Sequence, residues 1–322
     1  SDVYKRQDLT IKENSLIVAT QGRSLWMIDD LTVLHQLNET IANEKMTLFK
    51  PKDSYRIQGR SGKPSLTEGT NLPNGVIVHF NIKDFESSKD TLKLHFKEID
   101  GTLIKTYSTA SEEDKLDVKE GGNQFVWSTR YEGAEKLDGM IFWSASFTGA
   151  KAVPGNYIVG LDKNGSVKEQ MFSILPDPRA EAKVADMRKQ FDFVNTVNAT
   201  VDEAHQVIKK IRSINKKLIE FQKNYGELEK TKVIIEQVKM IKNKLSEIEK
   251  SLYQTQNRSN QDPLNFPIRL TNKLGHLNRL VTINDFSPTD QDEKVRLYLT
   301  KDVEAQISEY KKLIDGDLED FN

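Results

Sequence analysis

The spacing of hydrophobic positions changes character twice along the chain. Residues 1–54 are irregular apart from two short apolar runs. Leu16-Ile17-Val18-Ala19-Thr20 and Leu25-Trp26-Met27-Ile28 read as strands, with Gln21-Gly22-Arg23-Ser24 as the hairpin turn and Asp29-Asp30 as the stop. An isolated hairpin is marginal in water, so these strands are expected to lean on another domain or to expose an unsatisfied edge. Ser1-Asp2-Val3-Tyr4-Lys5-Arg6-Gln7 carry no periodic signal and are left out of the fold reading.

Residues 55–177 alternate with period two. Val76, Val78, Phe80 and Ile82 share one strand face, with Ile77, His79 and Asn81 opposite; Leu92, Leu94 and Phe96 repeat the pattern against Lys93, His95 and Lys97. Asp100-Gly101 turns the chain into a strand over residues 103–107. Further strands are predicted at 124–130, 140–147, 155–161 and 167–175, with turns at Pro154-Gly155 and Asn164-Gly165. About seven short, half-polar strands predict an immunoglobulin-like antiparallel β-sandwich.

Residues 178–322, after the helix-disfavouring Pro176-Asp177-Pro178, take up helical spacing. One seam runs Val184, Met187, Phe191, Val194, Val201, Ile208, Ile211 and Leu218, with Asn198 and His205 as polar interruptions. A second runs Ile234, Val238, Ile241, Leu245, Ile248 and Leu252, and Asn224-Tyr225-Gly226 separates the two. A shorter helix holds Leu270, Leu274, Leu277 and Val281. The last opens at Thr289, whose spacing to Asp292 is that of a capping box, and carries Val295, Leu299, Val303, Ile307, Tyr310 and Ile314. Short connections favour an antiparallel bundle folded within one chain over a dimeric coiled coil.

Composition narrows the function classes. The 322 residues hold 47 Lys+Arg and 48 Asp+Glu, a net charge of −1, which speaks against nucleic acid and anionic membrane as partners. The absence of cysteine excludes disulfides, thiolate nucleophiles and cysteine-ligated metals, leaving the redox compartment open. No apolar run approaches the length of a membrane span, and no basic-plus-apolar leader is present, so any export signal is expected outside this chain.

Chemistry is sparse. Gly59-Arg60-Ser61-Gly62-Lys63-Pro64-Ser65 lacks the glycine spacing of a phosphate-binding loop and has proline after the lysine. His79 and His95 would share a metal only if their strands formed one hairpin; in separate sheets they never meet, and no third ligand is evident. His205 reads as a core or boundary histidine, and His35 and His276 lack readable acid or nucleophile partners. Asp29 and Asp30, adjacent on a strand, point to opposite faces and suit a turn cap better than paired acid–base work. Phe125, Trp127, Tyr131, Phe142 and Trp143 would make a sugar-stacking surface if exposed together, though a sandwich core suits them better. No catalytic, cofactor-binding or metal-ligating residue is assigned.

Beginning at Ser15, the run Ser15-Leu16-Ile17-Val18-Ala19-Thr20-Gln21-Gly22-Arg23-Ser24-Leu25-Trp26-Met27-Ile28-Asp29-Asp30-Leu31 resembles the end of the β-propeller in large bacterial sortilin-like proteins with BNR (Asp-box) repeats, often labelled glycosyl-hydrolase-like. Gln21 stands where that segment usually has histidine. The resemblance continues through Leu48-Phe49-Lys50-Pro51, Tyr55-Arg56, Asn71-Leu72-Pro73-Asn74-Gly75, Gly122-Asn123-Gln124-Phe125-Val126-Trp127, Pro154-Gly155-Asn156-Tyr157, Pro176-Asp177-Pro178-Arg179 and the terminal Asp317-Leu318-Glu319-Asp320-Phe321-Asn322. It implies three regions: a remnant of the final propeller blade with its linker over residues 1–54, an immunoglobulin-like sandwich over 55–177 and a helical bundle over 178–322. It further implies an exported, periplasmic or extracellular parent whose propeller this region braces, or a role in binding protein or glycan. Any glycoside-hydrolase carboxylates of the parent would sit in the propeller blades, so none is carried over; an active site at a propeller–sandwich interface drawing on Arg23, Asp29 or Asp30 is the competing expectation.

Overall fold

The computed structural model describes residues 6–57, 71–226 and 228–318. The chain divides into two compact units, one formed by Ser1–Tyr131 with Ala152–Ala180 and the other by Glu132–Lys151 with Glu181–Asn322. The fold is mixed, with antiparallel sheets followed by a helical region.

Among the described residues, the first unit contains three sheets. Strands β1 (Arg6–Lys12), β2 (Ser15–Thr20) and β3 (Leu25–Ile28) form an antiparallel meander in that order. Its first strand lies partly in the stretch set aside as aperiodic, and from Asp8 onward Leu9 and Ile11 alternate with Thr10 and Lys12 as a strand requires. Two short helices, α1 (Thr32–Gln36) and α2 (Glu39–Asn43), lead on to β4 (Met46–Leu48) and β5 (Ser54–Arg56).

The strands that follow are β6 (Val76–Ile82), β7 (Leu92–Glu98), β8 (Leu103–Ser108), β9 (Gly121–Trp127), β10 (Gly155–Lys163) and β11 (Ser166–Pro176). They pair as a three-stranded sheet, β4-β6-β9, and a five-stranded sheet, β5-β11-β10-β7-β8, antiparallel throughout except where β5 runs parallel to β11. β4, a strand the sequence reading did not predict, pairs with β6, and Met46 and Leu48 join the core.

Both sheets contribute to one apolar core. β6 buries Val76, Val78, Phe80 and Ile82, and β7 buries Leu92, Leu94 and Phe96, as their alternation dictates. Trp127 stacks on Phe96 with ring centroids 4.4 Å apart, and Tyr157 and Phe172 complete the cluster. Gly75 is obligatory: its φ is +134°, and a Cβ there would lie 2.2 Å from the Trp127 carbonyl oxygen. Tyr157 is anchored by its hydroxyl donating to Val153 O at 2.6 Å.

The second unit is built on α3 (Val184–Tyr225), α4 (Lys232–Leu252), α5 (Leu270–Val281) and α6 (Asp290–Leu313). Arg212 pairs with Glu249 at 2.8 Å and Lys242 with Gln222 at 2.8 Å, which sets α3 and α4 antiparallel. The seams are buried largely as their spacing predicts, through Val238, Ile241, Leu245, Ile248 and Leu252 on α4 and Leu299, Val303, Ile307 and Tyr310 on α6. Seam registry slips at the ends, since Val184 and Ile234 face solvent while Gln190, Phe193 and Ile235 are buried. Thr289 caps α6, accepting from Asp292 N at 3.1 Å while Asp292 Oδ2 accepts from Thr289 N at 2.8 Å.

The predicted strand at 140–147 does not form. Residues 132–151 leave the sheet unit between β9 and β10 and lie on the helices as an extended strap. Its alternating apolar residues suit burial against helices as well as against a sheet, and the bundle supplies its hydrogen bonds. Asn272 clamps the Trp143 backbone, accepting from its N at 2.7 Å and donating to its O at 2.8 Å. Tyr253 Oη accepts from Ile141 N at 2.8 Å, Gly275 O accepts from Ser146 N at 2.8 Å, and Asn198 Nδ2 donates to Thr148 O at 3.1 Å. Phe142 and Phe147 fill the apolar space beneath, their rings 4.6 Å apart.

Candidate functional site

The N-terminal sheet is unusual in what it leaves uncovered. In β3, Leu25 is 73% exposed, Trp26 53%, Met27 57% and Ile28 50%. Successive residues of a strand face opposite sides, so Leu25 and Met27 lie on one face and Trp26 and Ile28 on the other; both faces meet water. Leu9 and Ile11 on β1 are exposed as well. Contiguous apolar surface of this kind marks a site of interaction rather than scattered surface residues.

Local structure holds the sheet in shape. The β2–β3 turn uses Gly22 and Ser24 at φ +74° and +64°, and Thr20 Oγ1 donates to Ser24 O at 2.7 Å. Trp26 Nε1 donates to Arg23 O at 2.8 Å, which fixes the indole near the turn. At the other end, Asp30 Oδ1 accepts from Asn14 Nδ2 at 2.6 Å and from Thr32 N at 2.9 Å, while the Asp29 carbonyl accepts from Ser15 Oγ at 3.0 Å. Asp30 thus closes the turn that leads into α1, as expected of a turn cap, while Asp29 contributes its backbone carbonyl.

A cleft of about 600 Å³ opens on the outer face of the β4-β6-β9 sheet, lined by Val33, Phe49, His79, Asp117, Lys119 and Gln124 among others. His79 stands opposite Gln124 on the neighbouring strand, and burial lowers its pKa, opposed by the nearby Asp30 charge. His95 belongs to the other sheet, where Nδ1 meets Thr106 Oγ1 at 2.9 Å and Nε2 lies 3.9 Å from Asp162. Desolvation lowers its pKa too, with Asp162 pulling the other way. The two histidines therefore do not form a pair, and among the described residues no group of three or more metal-capable side chains converges.

The aromatic set divides between the units. Trp127 is fully buried and Phe125 packs partly buried against the same core with Tyr131, whereas Phe142 and Trp143 belong to the strap. A buried indole offers no platform to a sugar ring, so the set does not form one stacking surface. Tyr131 donates to Glu98 Oε1, and burial pushes its phenol pKa far up. The phosphate-loop-like stretch at residues 59–65 lies outside the described residues.

His205 is a core histidine, with Nδ1 donating to Glu135 O at 2.5 Å and its ring beside the Phe142–Phe147 pair, 5.8 Å from each. His276 Nδ1 donates to Ser144 O at 2.9 Å, also holding the strap, and His35 is exposed on α1. The strap's clamps on α3 and α5 are the feature the sequence reading missed. The one signal for them was the pair of polar interruptions, Asn198 and His205, in the first helical seam.

No helix among the described residues is long and apolar enough to cross a membrane. No family model matches the chain, and no curated protein matches it significantly. A solved structure titled "pT26-6p" aligns over 78% of this chain at 13% identity, with a TM-score of 0.14. This chain covers 48% of that protein's length, and a likeness at that score carries no argument about fold or function.

Proposed function

We propose that this chain is a non-catalytic accessory region of an exported, sortilin-like BNR-repeat propeller protein. Its β1-β2-β3 sheet belongs to the final blade, followed by an immunoglobulin-like sandwich and an antiparallel helical bundle. The region braces the propeller, and its parent acts in the periplasm or outside the cell. The observation that carries this reading is the double-sided apolar exposure of β3. A blade is sandwiched between neighbours, so both of its faces need apolar residues, whereas a sheet lying on its own domain needs them on one face only. The resemblance of residues 15–31 to the closing segment of such propellers points the same way.

The test compares amide hydrogen exchange across residues 8–28 in this chain and in a longer protein that carries it behind a propeller. Strong protection in the longer protein alone is expected; equal, rapid exchange in both removes the bracing role. The alternative reading makes the chain part of a glycoside hydrolase whose carboxylates lie in the propeller. Glycosidase turnover by the 322-residue chain itself would overturn the non-catalytic reading. Protein binding is favoured over glycan binding, since Trp127 is buried and Trp26 is the one aromatic residue in the exposed run of β3. Retention of the chain on a polysaccharide matrix, released by the free sugar, would reverse that preference.

A further inference from the structure

α3 holds the strap at Glu135 from every side of that residue. The Glu135 backbone N–H donates to Asp202 Oδ1 at 2.6 Å, and its carbonyl accepts from His205 Nδ1 at 2.5 Å. Its carboxylate accepts from Gln206 Nε2 at 2.5 Å and from Lys209 Nζ at 3.0 Å. The bond to the carbonyl fixes the tautomer of His205, with the proton on Nδ1 and a lone pair on Nε2. That Nε2 is buried and has no hydrogen-bond partner among the described residues. Protonating it in place would bury a cation whose new N–H donates to nothing.

What covers the ring matters as much as its burial. The carbonyl it bonds and the two aromatic rings beside it, Phe142 and Phe147, all belong to the strap, while His205 itself sits on α3. Lifting the strap alone therefore brings the imidazole to water without unfolding the bundle. The charged groups around it are committed elsewhere. On the strap, Glu135 is held as described and Lys136 lies over the Phe147 ring at 5.7 Å. On α3, Asp202 and Lys209 bind Glu135, and Arg212 pairs with Glu249 of α4 at 2.8 Å. Beyond α4, Tyr253 Oη accepts from Ile141 N, and on α5 His276 and Arg279 reach the strap at Ser144.

We propose that residues 132–151 are an acid-released latch: protonation of His205 favours a state in which the strap has left α3 and α5 while the four helices stay packed. The released state binds a proton on an exposed imidazole near the ordinary value of 6.5. The closed state does so only at lower pH, because burial outweighs the raising effects of the Glu135 carbonyl and of the Asp202 and Glu135 charges. The sign follows. Well above pH 6.5 neither state is protonated and the opening equilibrium is flat; below it, opening grows by up to about tenfold per pH unit until the closed form is protonated as well. Opening bares the side of the bundle that carries Asn198, Asn272 and Gly275. The latch lies wholly within the helical unit and stands independently of the bracing role.

Amide hydrogen exchange on the full chain at about pH 7.5 and about pH 5.5, each corrected for the intrinsic exchange rate, reads the latch directly. The amides of Glu135, Ile141, Trp143 and Ser146 should lose about tenfold in protection at the lower pH, while those in the middle of α6 keep theirs. His205→Gln should abolish the difference between the two pH values. Should that variant not fold, Asn272→Ala keeps the imidazole and loosens the strap; opening should rise about tenfold at both pH values with their ratio unchanged. His276→Gln should also preserve the ratio. Strap protection that ignores pH, or that falls together with protection of α6, overturns the proposal. So does a ratio lost in H276Q and kept in H205Q, which would assign the proton to the other histidine.

Discussion

At Gly275 two principles oppose each other, and the distances decide between them. Replacing glycine by alanine inside a helix ordinarily stabilises by about 0.5–1 kcal/mol, because the unfolded chain loses freedom. Here a Cβ would lie 2.7 Å from Cε1 and Cζ of Phe147 and 2.8 Å from Cβ of Ala145. Those atoms belong to a strap packed into the core, and overpacking of that kind costs about 1–3 kcal/mol. Gly275→Ala should therefore destabilise the helical unit in urea titration, and the cost should shrink in a Phe147→Ala background. A gain in stability would mean that the strap is free to move away.

His205 makes a second residue-scale prediction, with its sign fixed by burial. The ring is held neutral, with its pKa below the ordinary 6.5 chiefly by desolvation, against the raising effects of the Glu135 carbonyl and the charges of Asp202 and Glu135. Arg212, paired with Glu249, adds a small lowering effect. The unfolded chain thus takes up a proton before the folded one does. The His205 contribution is complete above about pH 6.5 and is lost as the pH falls through that value, at no more than about 1.4 kcal/mol per pH unit. Thermal melts of the chain should move down between about pH 7.5 and about pH 5.5, with His79 and His95 adding in the same direction in the sheet unit. His205→Gln should flatten the acid slope of the helical transition; an unchanged slope would show that the ring protonates freely in the folded chain.

At the scale of elements, the strap shows how an extended segment is held without a sheet. A strand receives its hydrogen bonds from neighbouring backbone, whereas residues 132–151 receive many of theirs from side chains on α3, α5 and the end of α4. Asn272→Ala removes both halves of one clamp and leaves the Trp143 N–H and C=O without that partner. An expected loss of about 1–3 kcal/mol follows. Proteolysis should then cut within residues 140–147 first. A variant losing stability evenly, with the strap no more susceptible than the helices, would contradict the clamp.

The same element marks the limit of what the sequence made legible. Period-two alternation located β6, β7 and their partners, and heptad spacing with the Thr289 cap located the four helices, because these elements are specified by contacts close in sequence. Met140, Phe142 and the residues around them also alternate, so they read as one more strand. What decided otherwise was a set of partners more than a hundred residues away, at Tyr253, Asn272 and Gly275, to which local periodicity is blind. The polar interruptions at Asn198 and His205 were visible, but not what they hold. β1 was passed over because its first residues carry no periodic signal and only Leu9 and Ile11 alternate after them. As for the candidate surface, the apolar run of β3 and its need for partners were readable; its exposure on both faces was not.

For the whole molecule, the division into units has a consequence for which pieces of chain fold. The strap is continuous in sequence with the sheet unit, yet its packing belongs to the helices, where Phe147 and Ala134 join the core and Asn198, Asn272 and Asn278 are buried. A fragment of residues 181–322 alone would open that apolar surface and leave the clamping amides facing water. The sheet unit, by contrast, closes neatly without the strap, because Ala152 N donates to Thr129 O at 2.6 Å and so the two ends of the excursion already meet. Joining residue 131 to residue 152 through a linker of about four residues should close a short loop at little entropic cost. The expected outcome is asymmetric. Residues 1–180 with the strap so replaced should fold cooperatively, with near-native amide dispersion. Residues 181–322 should melt at lower temperature or associate, and should regain stability when a peptide spanning residues 132–151 is added in trans, the gain growing with peptide concentration. If the helical fragment reaches full stability alone and ignores the peptide, the strap is a passenger on the bundle, and the unit boundary lies at residue 180 and nowhere else.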